Sequence, residues 1–207
     1  MTSISQREIG CTGLSVTTLG FGGAPLGNLY QAISDDQADS TIQAALDAGI
    51  RLFDTAPLYG YGLSEHRVGR ALRNVDRDKF VLSTKVGRLL TPADPQHFDA
   101  GLFPGCLPFK GTYDYSYDGV MRSIEDSLQR LGLHRIDIVL IHDVDVWTHK
   151  TQEETDRRFR EVMGGGYLAL DKLRKAGVIS AIGAGVNEWE ACQRFAEAGH
   201  FDCFLAT

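Results

Sequence analysis

Six short apolar runs recur along this 207-residue chain, and helical patterns separate them. Apolar runs rich in β-branched and aromatic residues are typical of strands that are buried on both faces of a parallel sheet. Strands that alternate with helices build either a doubly wound open sheet or a (β/α)₈ barrel. The six runs read VTTLGFGG, GIRLFDTA, KFVLSTKVG, RIDIVLIHD, VISAIGAGV and FDCFLAT.

Two glycine-rich turns favour the barrel. GFGGAPLG and GAGVNE both follow predicted strands, yet neither spells G-x-G-x-x-G, and no G-x-x-x-x-G-K-[ST] occurs in the chain. A doubly wound nucleotide-binding sheet usually has one of these fingerprints. The opening ISQREIGCTGLSVTTLG predicts two short strands around a turn at 11–13, a hairpin that closes the bottom of the barrel.

Capping signals set the ends of the intervening helices. Ser34 and Gln37 form a capping box for the first helix, which is expected to end at Gly49. A second helix begins near Ser116 and ends by Gly132, and a third lies within GYLALDKLRKAG.

The last helix is predicted to open on Asn187, with Glu190 three residues later, and to bury Trp189 and Phe195. Glu65 and His66 stand at the start of another helical pattern, where we expect both side chains to be solvated. An acidic residue suits a helix N-terminus.

Composition narrows the classes of function. The chain is 43% hydrophobic and 23% charged with a net charge of −6, which predicts one globular domain over residues 1–207. The absence of a basic run argues against nucleic acid or a membrane surface and for a small-molecule partner. The sequence has no apolar stretch long enough to span a membrane and no leader pattern for export. A cytoplasmic location is therefore predicted. Scattered cysteines without C-x-x-C predict reduced thiols and no metal site: Cys11, Cys106, Cys192 and Cys203.

A long segment at 88–118 interrupts the alternation with four prolines and six aromatic residues. A loop of this length in a compact domain is usually functional or disordered. It follows the third strand and would lie over the C-terminal face of the barrel, where active sites are found. A role in the substrate pocket and a role as surface cover both stay open.

Four polar residues stand at or just after the ends of successive strands, where a barrel brings them to one mouth: Asp54, Tyr59, Lys85 and His142. Each alone has an ordinary structural explanation. Together they suit proton transfer, because an ammonium beside a phenol lowers the phenol's pKa from about 10 and a paired carboxylate keeps the ammonium charged. His142 would hydrogen-bond the substrate oxygen. The set therefore predicts a site that moves a proton while another agent moves a hydride.

These residues lie in stretches that resemble the aldo-keto reductase superfamily, whose members are (β/α)₈ barrels with nicotinamide cofactors and an Asp, Tyr, Lys, His tetrad. The resemblance places the catalytic tetrad on the same four positions. The stretches are LGFGGAPLG, FDTAPLYGYGLSEHRVGRAL, FVLSTKVGR, DYSYDGVMRSIEDSLQRLG, IDIVLIHDVD and AIGAGVNEWEACQRF.

The resemblance implies oxidation of the anomeric hydroxyl of a sugar, or of a pyridoxal hemiacetal, to a lactone, with hydride passing to NAD or NADP, of which NAD is slightly favoured. The cofactor would contact Gly22, Gly23, Asp54 and Asn187. Val186 stands where the family has a serine before this asparagine, and capping of the last helix is a competing role for Asn187. Substrate contacts are predicted for Tyr59 and His142, and also for Trp147, which alternatively packs as a loop aromatic.

Two alternatives stay open, a general aldehyde or ketone reductase that uses NADPH and a catalytically inactive barrel with a binding role. A homo-oligomer is also compatible with the sequence.

We expect the barrel to be interrupted after about strand six, without strands seven and eight, and the chain to be a fragment of a longer protein. Completion by a second chain and an incomplete barrel with altered edges are the alternatives. In the family the later strands hold the adenosine end of the cofactor, so the choice of NAD or NADP is not determined.

Overall fold

A short antiparallel hairpin precedes the main sheet in the computed structural model, which describes residues 4–206. With elements numbered in chain order, it pairs β1 (Gln6–Glu8) with β2 (Ser15–Thr17). Val16 packs with Val81, Ile138 and Ala181, which stand at or near the amino ends of three strands of the main sheet. The predicted hairpin beneath the barrel is therefore confirmed.

Six strands form a curled parallel sheet that is half of a barrel, as the apolar runs predicted. Each strand pairs with the next one along this sheet. Every residue is buried in three of the four inner strands, which explains why these three runs lack polar alternation. The six are β3 (Gly20–Gly22), β4 (Leu52–Asp54), β5 (Val81–Val86), β8 (Ile138–His142), β9 (Ala181–Val186) and β10 (Cys203–Ala206).

The chain forms seven α-helices within residues 4–206. They are α1 (Asp35–Asp47), α2 (Leu63–Leu72), α3 (Tyr117–Leu131), α4 (Val146–His149), α5 (Gln152–Glu161), α6 (Tyr167–Lys175) and α7 (Trp189–Ala198). The capping box of Ser34 and Gln37 is confirmed at α1. Ser116 caps α3, whose last turn ends at Gly132 in the left-handed conformation. None of the helices in the described part of the chain is long and apolar enough to cross a membrane.

A π-helical turn at Val162–Gly166 joins α5 to α6 and was not predicted. Its glycines allow close contact with the start of α3 and the residues just before it. A Cβ on Gly165 would lie 2.8 Å from the backbone nitrogen of Tyr117, and one on Gly166 would lie 2.7 Å from the carbonyl oxygen of Tyr115. Larger residues in this turn would push the helices apart.

The predicted start of the last helix was wrong in two details. The N-cap of α7 is Glu188 rather than Asn187, and no side chain caps it. Trp189, the first residue of α7, is 66% exposed, whereas Phe195 is buried as predicted. Phe195 packs against Phe159 and Phe201, with ring centroids 5.0 and 5.1 Å away.

The proline-rich segment contains a second antiparallel hairpin, β6 (Arg88–Pro92) with β7 (Phe109–Tyr113), which was not predicted. It leaves β5 through Gly87, which has a φ of 105°. A Cβ on Gly87 would overlap the ring of Tyr115. The hairpin therefore starts within one residue of the barrel strand and places Arg88 close to the barrel mouth.

Glu65 is fully buried in α2, so the prediction of a solvated side chain was wrong. Its carboxylate accepts hydrogen bonds from Thr84 Oγ1 at 2.9 Å and from Arg130 Nε at 2.6 Å. A buried carboxylate needs such partners, and these tie α2 to β5 and α3. His66 is exposed, as predicted.

Candidate active site

The carboxyl ends of the strands bring the four predicted polar residues together. Asp54 ends β4, Lys85 lies near the end of β5, His142 ends β8, and Tyr59 follows β4 in a turn. Tyr59, Lys85 and His142 line a cavity of about 480 Å³ at the barrel mouth. Asp54 lies beside Lys85, to which it is hydrogen-bonded.

Lys85 and Asp54 form an ion pair at the base of this cavity. The lysine Nζ donates to Asp54 Oδ2 at 2.5 Å and to the carbonyl oxygen of Thr55 at 3.0 Å. Ser83 donates to the other carboxylate oxygen at 2.8 Å. Burial acts to lower the pKa of Lys85, but Asp54 and Tyr59 outweigh it and raise the pKa above its usual value. The buried amine is therefore an ammonium near neutral pH.

Tyr59 lies against this ammonium, with Lys85 Nζ 4.8 Å from the centroid of the phenol ring. Burial raises the pKa of Tyr59 more than Lys85 lowers it, and Asp54 adds to the rise, so the net shift is upward. The predicted lowering of this pKa was therefore wrong, although the effect of Lys85 has the predicted sign. Desolvation of the buried phenolate is the largest of these effects and exceeds the attraction by the ammonium. Tyr59 is a protonated phenol near neutral pH.

His142 stands opposite Tyr59, with ring centroids 5.9 Å apart and ring planes at 87°. Burial and the cations Arg88 and Lys85 hold the pKa of His142 well below its usual 6.5. A neutral imidazole has one N–H donor and one acceptor nitrogen. Nδ1 is buried with no hydrogen-bond partner among residues 4–206. His142 is thus a neutral donor beside the phenol.

Glycines of two strands shape the space around Lys85 and the cavity mouth. A Cβ on Gly185 would lie 3.1 Å from Lys85 Cε, so a larger residue there would displace the lysine stem. A Cβ on Gly23 would lie 2.6 Å from the carbonyl oxygen of Asp54, and the amide of Gly23 already donates to that oxygen. Gly22 has open space around the Cβ position. Of the two predicted cofactor glycines, Gly22 is the more accessible one.

Asn187 belongs to a polar network on the far wall of the cavity. Its side-chain amide donates to Asp145 Oδ2 at 3.0 Å and to Asp143 Oδ1 at 3.3 Å, while its backbone amide donates to Asp145 Oδ2 at 2.6 Å. These donors help lower the pKa of Asp145 against the opposing effect of burial. Because Glu188 is the helix N-cap, the competing role of Asn187 in capping is removed.

Trp147 lines the same cavity from α4 and is 66% exposed. Its backbone amide donates to Glu188 Oε2 at 3.0 Å, and the ammonium of Lys150 lies 5.2 Å from its ring. Trp147 therefore borders the cavity rather than packing in the core.

Arg88 and Asp143 belong to the cavity wall and were not predicted. Arg88 Nη2 donates to Asp143 Oδ2 at 2.6 Å, and both side chains are about 13–14% exposed. Asp143 has a φ of 56°, an uncommon conformation that turns the chain directly after His142. The sequence pattern carried no clear signal for Arg88, because the hairpin of β6 and β7 that positions it lies in a segment without regular alternation.

No group of three or more potential metal ligands lies together within residues 4–206. The four cysteines are free thiols. Burial raises the pKa of Cys203 to about 12, so this thiol is a poor nucleophile.

A model of the aldo/keto reductase family matches residues 18–204. The chain belongs to this family. Pyridoxal 4-dehydrogenase of Microbacterium luteolum is 46% identical over 97% of this chain and 60% of its own length. D-threo-aldose 1-dehydrogenase of a Pseudomonas species is 38% identical over 98% of this chain and 60% of its own. This aldo/keto reductase chain thus spans about 60% of the length of these relatives.

Solved structures of the family share the fold. A glycerol dehydrogenase from Gluconobacter oxydans superposes with a TM-score of 0.70 at 29% identity, covering 100% of this chain and 55% of its own. An aldo-keto reductase from Bacillus halodurans in its holo form gives a TM-score of 0.73 at 24% identity, covering 99% of this chain and 57% of its own. The barrel architecture predicted from the apolar runs is confirmed.

The cavity suits the nicotinamide end of a cofactor of this family. Its size, about 480 Å³, is within the range of small-molecule sites, and apolar side chains lie beside a few polar groups. Gly22, at the carboxyl end of β3, has open space around its Cβ position, and Asn187 lines the cavity. Gly22 and Asn187 would hold the nicotinamide, which would accept or supply a hydride.

Proposed function

We propose that this chain forms the catalytic part of an NAD(P)-dependent oxidoreductase that converts an aldose, or the hemiacetal of pyridoxal, to a lactone. The names of two relatives support the substrate class. The observation that carries the proposal is the Lys85 ammonium, paired with Asp54 and set against the ring of Tyr59 in a cavity with His142 on the opposite side.

A nicotinamide cofactor, when bound, supplies the hydride acceptor or donor. The residues of the chain handle the proton and the substrate oxygen. In the oxidising direction the phenolate of Tyr59 takes the proton of the substrate hydroxyl. Lys85 stabilises that phenolate by its charge, and Asp54 holds the ammonium in place. The N–H of neutral His142 orients the substrate oxygen toward the phenol.

A second candidate is reduction of aldehydes or ketones with NADPH. The raised pKa of Tyr59 favours it, because a protonated phenol near neutral pH is ready to donate to a carbonyl oxygen. The same residues serve both directions by microscopic reversibility. Which direction dominates depends on the cofactor, and the preference for NAD over NADP stays a prediction, as does the inactive barrel with a binding role.

The other predictions from the sequence belong to this proposal. We propose that residues 1–207 belong to a single barrel domain, with a cytoplasmic location and a sugar or aldehyde as the small-molecule partner. A homo-oligomer is compatible with it. The site roles of Tyr59, Asp54, Lys85, His142, Gly22, Gly23, Asn187 and Trp147 are part of the same proposal.

The test is oxidation of L-fucose and pyridoxal with NAD⁺ and NADP⁺, followed by absorbance of the reduced cofactor across pH 6 to 10. Since the folded phenol has a raised pKa, the phenolate fraction and the oxidation rate are expected to rise with pH throughout this range. Tyr59→Phe is expected to lose at least about 100-fold in kcat/KM.

Tyr30→Phe is the matched control, because it removes the same hydroxyl from an exposed tyrosine at the edge of the cavity. Full activity of Tyr59→Phe would contradict the proton-transfer role. Turnover of carbonyl substrates with NADPH, without oxidation of either sugar or pyridoxal, would favour the reductase. Failure of the wild type to bind either nucleotide would favour the inactive barrel.

A further inference from the structure

Arg88 stands at the junction of two cavities. It lines the cavity that contains Tyr59 and His142, and it also lines a neighbouring cavity of about 500 Å³ beneath the 92–99 segment. Leu58 is the other residue that borders both. A substrate that reaches from the tetrad toward the hairpin of β6 and β7 must pass this guanidinium.

The guanidinium contacts Asp143 and Tyr113 and is incompletely paired. Asp143 accepts from Nη2 at 2.6 Å, and the ring of Tyr113 lies 4.5 Å from the guanidinium carbon. Nε is buried with no hydrogen-bond partner within the described residues. A guanidinium has five N–H donors, no acceptor, and a charge that it does not lose. What this position can bind is therefore an acceptor oxygen.

The position of Arg88 relative to the reacting centre is set by Asp143. Arg88 Nη2 lies 2.6 Å and His142 Nε2 lies 3.5 Å from the same oxygen of that carboxylate. When His142 contacts the oxygen on the reacting carbon, the guanidinium of Arg88 is placed to reach the oxygen on the neighbouring carbon of the substrate. In an aldose that oxygen belongs to the hydroxyl on C2.

We propose that Arg88 is a specificity-determining residue that donates a hydrogen bond to the C2 hydroxyl oxygen of an aldose held at Tyr59 and His142. The inference rests on the proposed function and assigns a substrate contact within it. The site then selects sugars with a hydroxyl beside the anomeric carbon. A substrate without that oxygen leaves the buried donors unpaired, which costs more than the loss of a simple contact.

The experiment compares L-fucose with 2-deoxy-L-fucose in the wild type and in Arg88→Met, Arg88→Lys and Arg130→Met. Arg130 is the matched control because it is also a paired, largely buried arginine, 16% exposed against 13% for Arg88, and it does not line the tetrad cavity. Folding of each variant is checked by circular dichroism and thermal unfolding.

The wild type is expected to prefer L-fucose in kcat/KM by about 10- to 100-fold, the range for one hydrogen bond to a charged donor. Arg88→Met should bring the ratio close to one by losing activity on L-fucose alone, and Arg88→Lys should retain part of the preference. Arg130→Met should leave the ratio unchanged. A purely structural role of Arg88 would reduce activity on both sugars equally and would overturn the proposal.

Two outcomes separate this inference from the function on which it rests. If the wild type oxidises both sugars with similar kcat/KM, the Arg88 assignment is wrong and the proposed function stands. If the wild type oxidises neither sugar with either nucleotide, the proposed function is wrong. In that case the Arg88 inference is tested by sugar binding, measured through the fluorescence of Trp147, which lines the cavity. Tighter binding of L-fucose than of 2-deoxy-L-fucose supports the inference. Equal binding of the two sugars, or no binding, overturns it.

Discussion

Two buried ion pairs lie on opposite sides of strand β5, and only one of them lies at the cavity that contains Tyr59 and His142. Lys85 points into the barrel and pairs with Asp54 at 2.5 Å. Its neighbour Thr84 points outward to Glu65, which pairs with Arg130 at 2.6 Å. Successive side chains of a strand alternate between its faces, so two adjacent residues contribute to two sites of different kinds.

The surroundings of the two pairs differ more than the pairs themselves. Glu65 is fully enclosed by its partners between α2, α3 and β5, and its burial stabilises the packing of two helices on the sheet. The Lys85 ammonium instead lies beneath the ring of Tyr59 at the cavity floor. Burial of a charge therefore does not distinguish the two pairs. What distinguishes them is that the Lys85 ammonium lies against the phenol of Tyr59 in the cavity that also contains His142.

Replacing Lys85 tests the cavity side of this comparison and has the largest expected effect. Lys85→Met removes the charge that stabilises the phenolate of Tyr59 and leaves the length of the side chain similar. We expect kcat/KM for oxidation to fall by about 10²- to 10⁴-fold, the usual range for loss of acid–base catalysis. Steady-state kinetics at pH 9, on protein shown to be folded, measures this effect.

The matched control for that experiment is Arg130→Met. If both variants lose activity to the same degree, the two pairs do not differ in function and the comparison fails. A further check is the pH profile, since loss of the ammonium should shift the rise of the oxidation rate to higher pH.

Replacing Arg130 tests the ion pair with Glu65, which lies between α2 and α3, and has the next largest expected effect. Arg130→Met leaves the Glu65 carboxylate buried without its cation, which costs about 3 kcal/mol in the free energy of unfolding. Urea unfolding monitored by circular dichroism measures the loss. Activity per folded molecule should stay within about twofold of the wild type at 25 °C.

The double variant Glu65→Gln with Arg130→Met sharpens this result. It removes both charges, so part of the lost stability should return. An equal or larger loss in the double variant would show that hydrogen bonding by the carboxylate, rather than its unpaired charge, dominates at this position.

The sequence was sufficient for the barrel and for the residues placed at its mouth. Buried parallel strands need continuous apolar runs, and the register of a barrel carries Asp54, Lys85 and His142 to one end. The burial of Glu65 was not predictable in the same way, because its partners Thr84 and Arg130 come from two other elements. Nothing in the local pattern of α2 distinguishes a paired buried carboxylate from a solvated one.

Arg88 and the Tyr59 pKa were missed for related reasons. The hairpin that places Arg88 at the cavity lies in a proline-containing segment with no clear alternation. The direction of the Tyr59 pKa depends on how far burial outweighs one nearby charge, and this balance of opposing effects is set by the three-dimensional surroundings of the phenol. The sequence shows which types of residue are present at the site. It does not show how deeply the side chains of Arg88 and Tyr59 are buried.

The smallest expected effect concerns stability at acid pH, which should depend on His142 in the cavity. His142 is buried and neutral with a pKa well below 6.5, so the unfolded chain binds a proton more readily than the folded one. Its stabilising contribution is complete above pH 6.5 and is lost as the pH falls toward the depressed folded value, at up to about 1.4 kcal/mol per pH unit.

His142→Asn should therefore show a shallower fall of the unfolding free energy between pH 7.5 and 5 than the wild type. His66→Gln is the control on the helix side, because burial and Arg130 also lower the pKa of His66 but its side chain is exposed. Equal slopes for His142→Asn and the wild type would place the acid sensitivity outside the cavity.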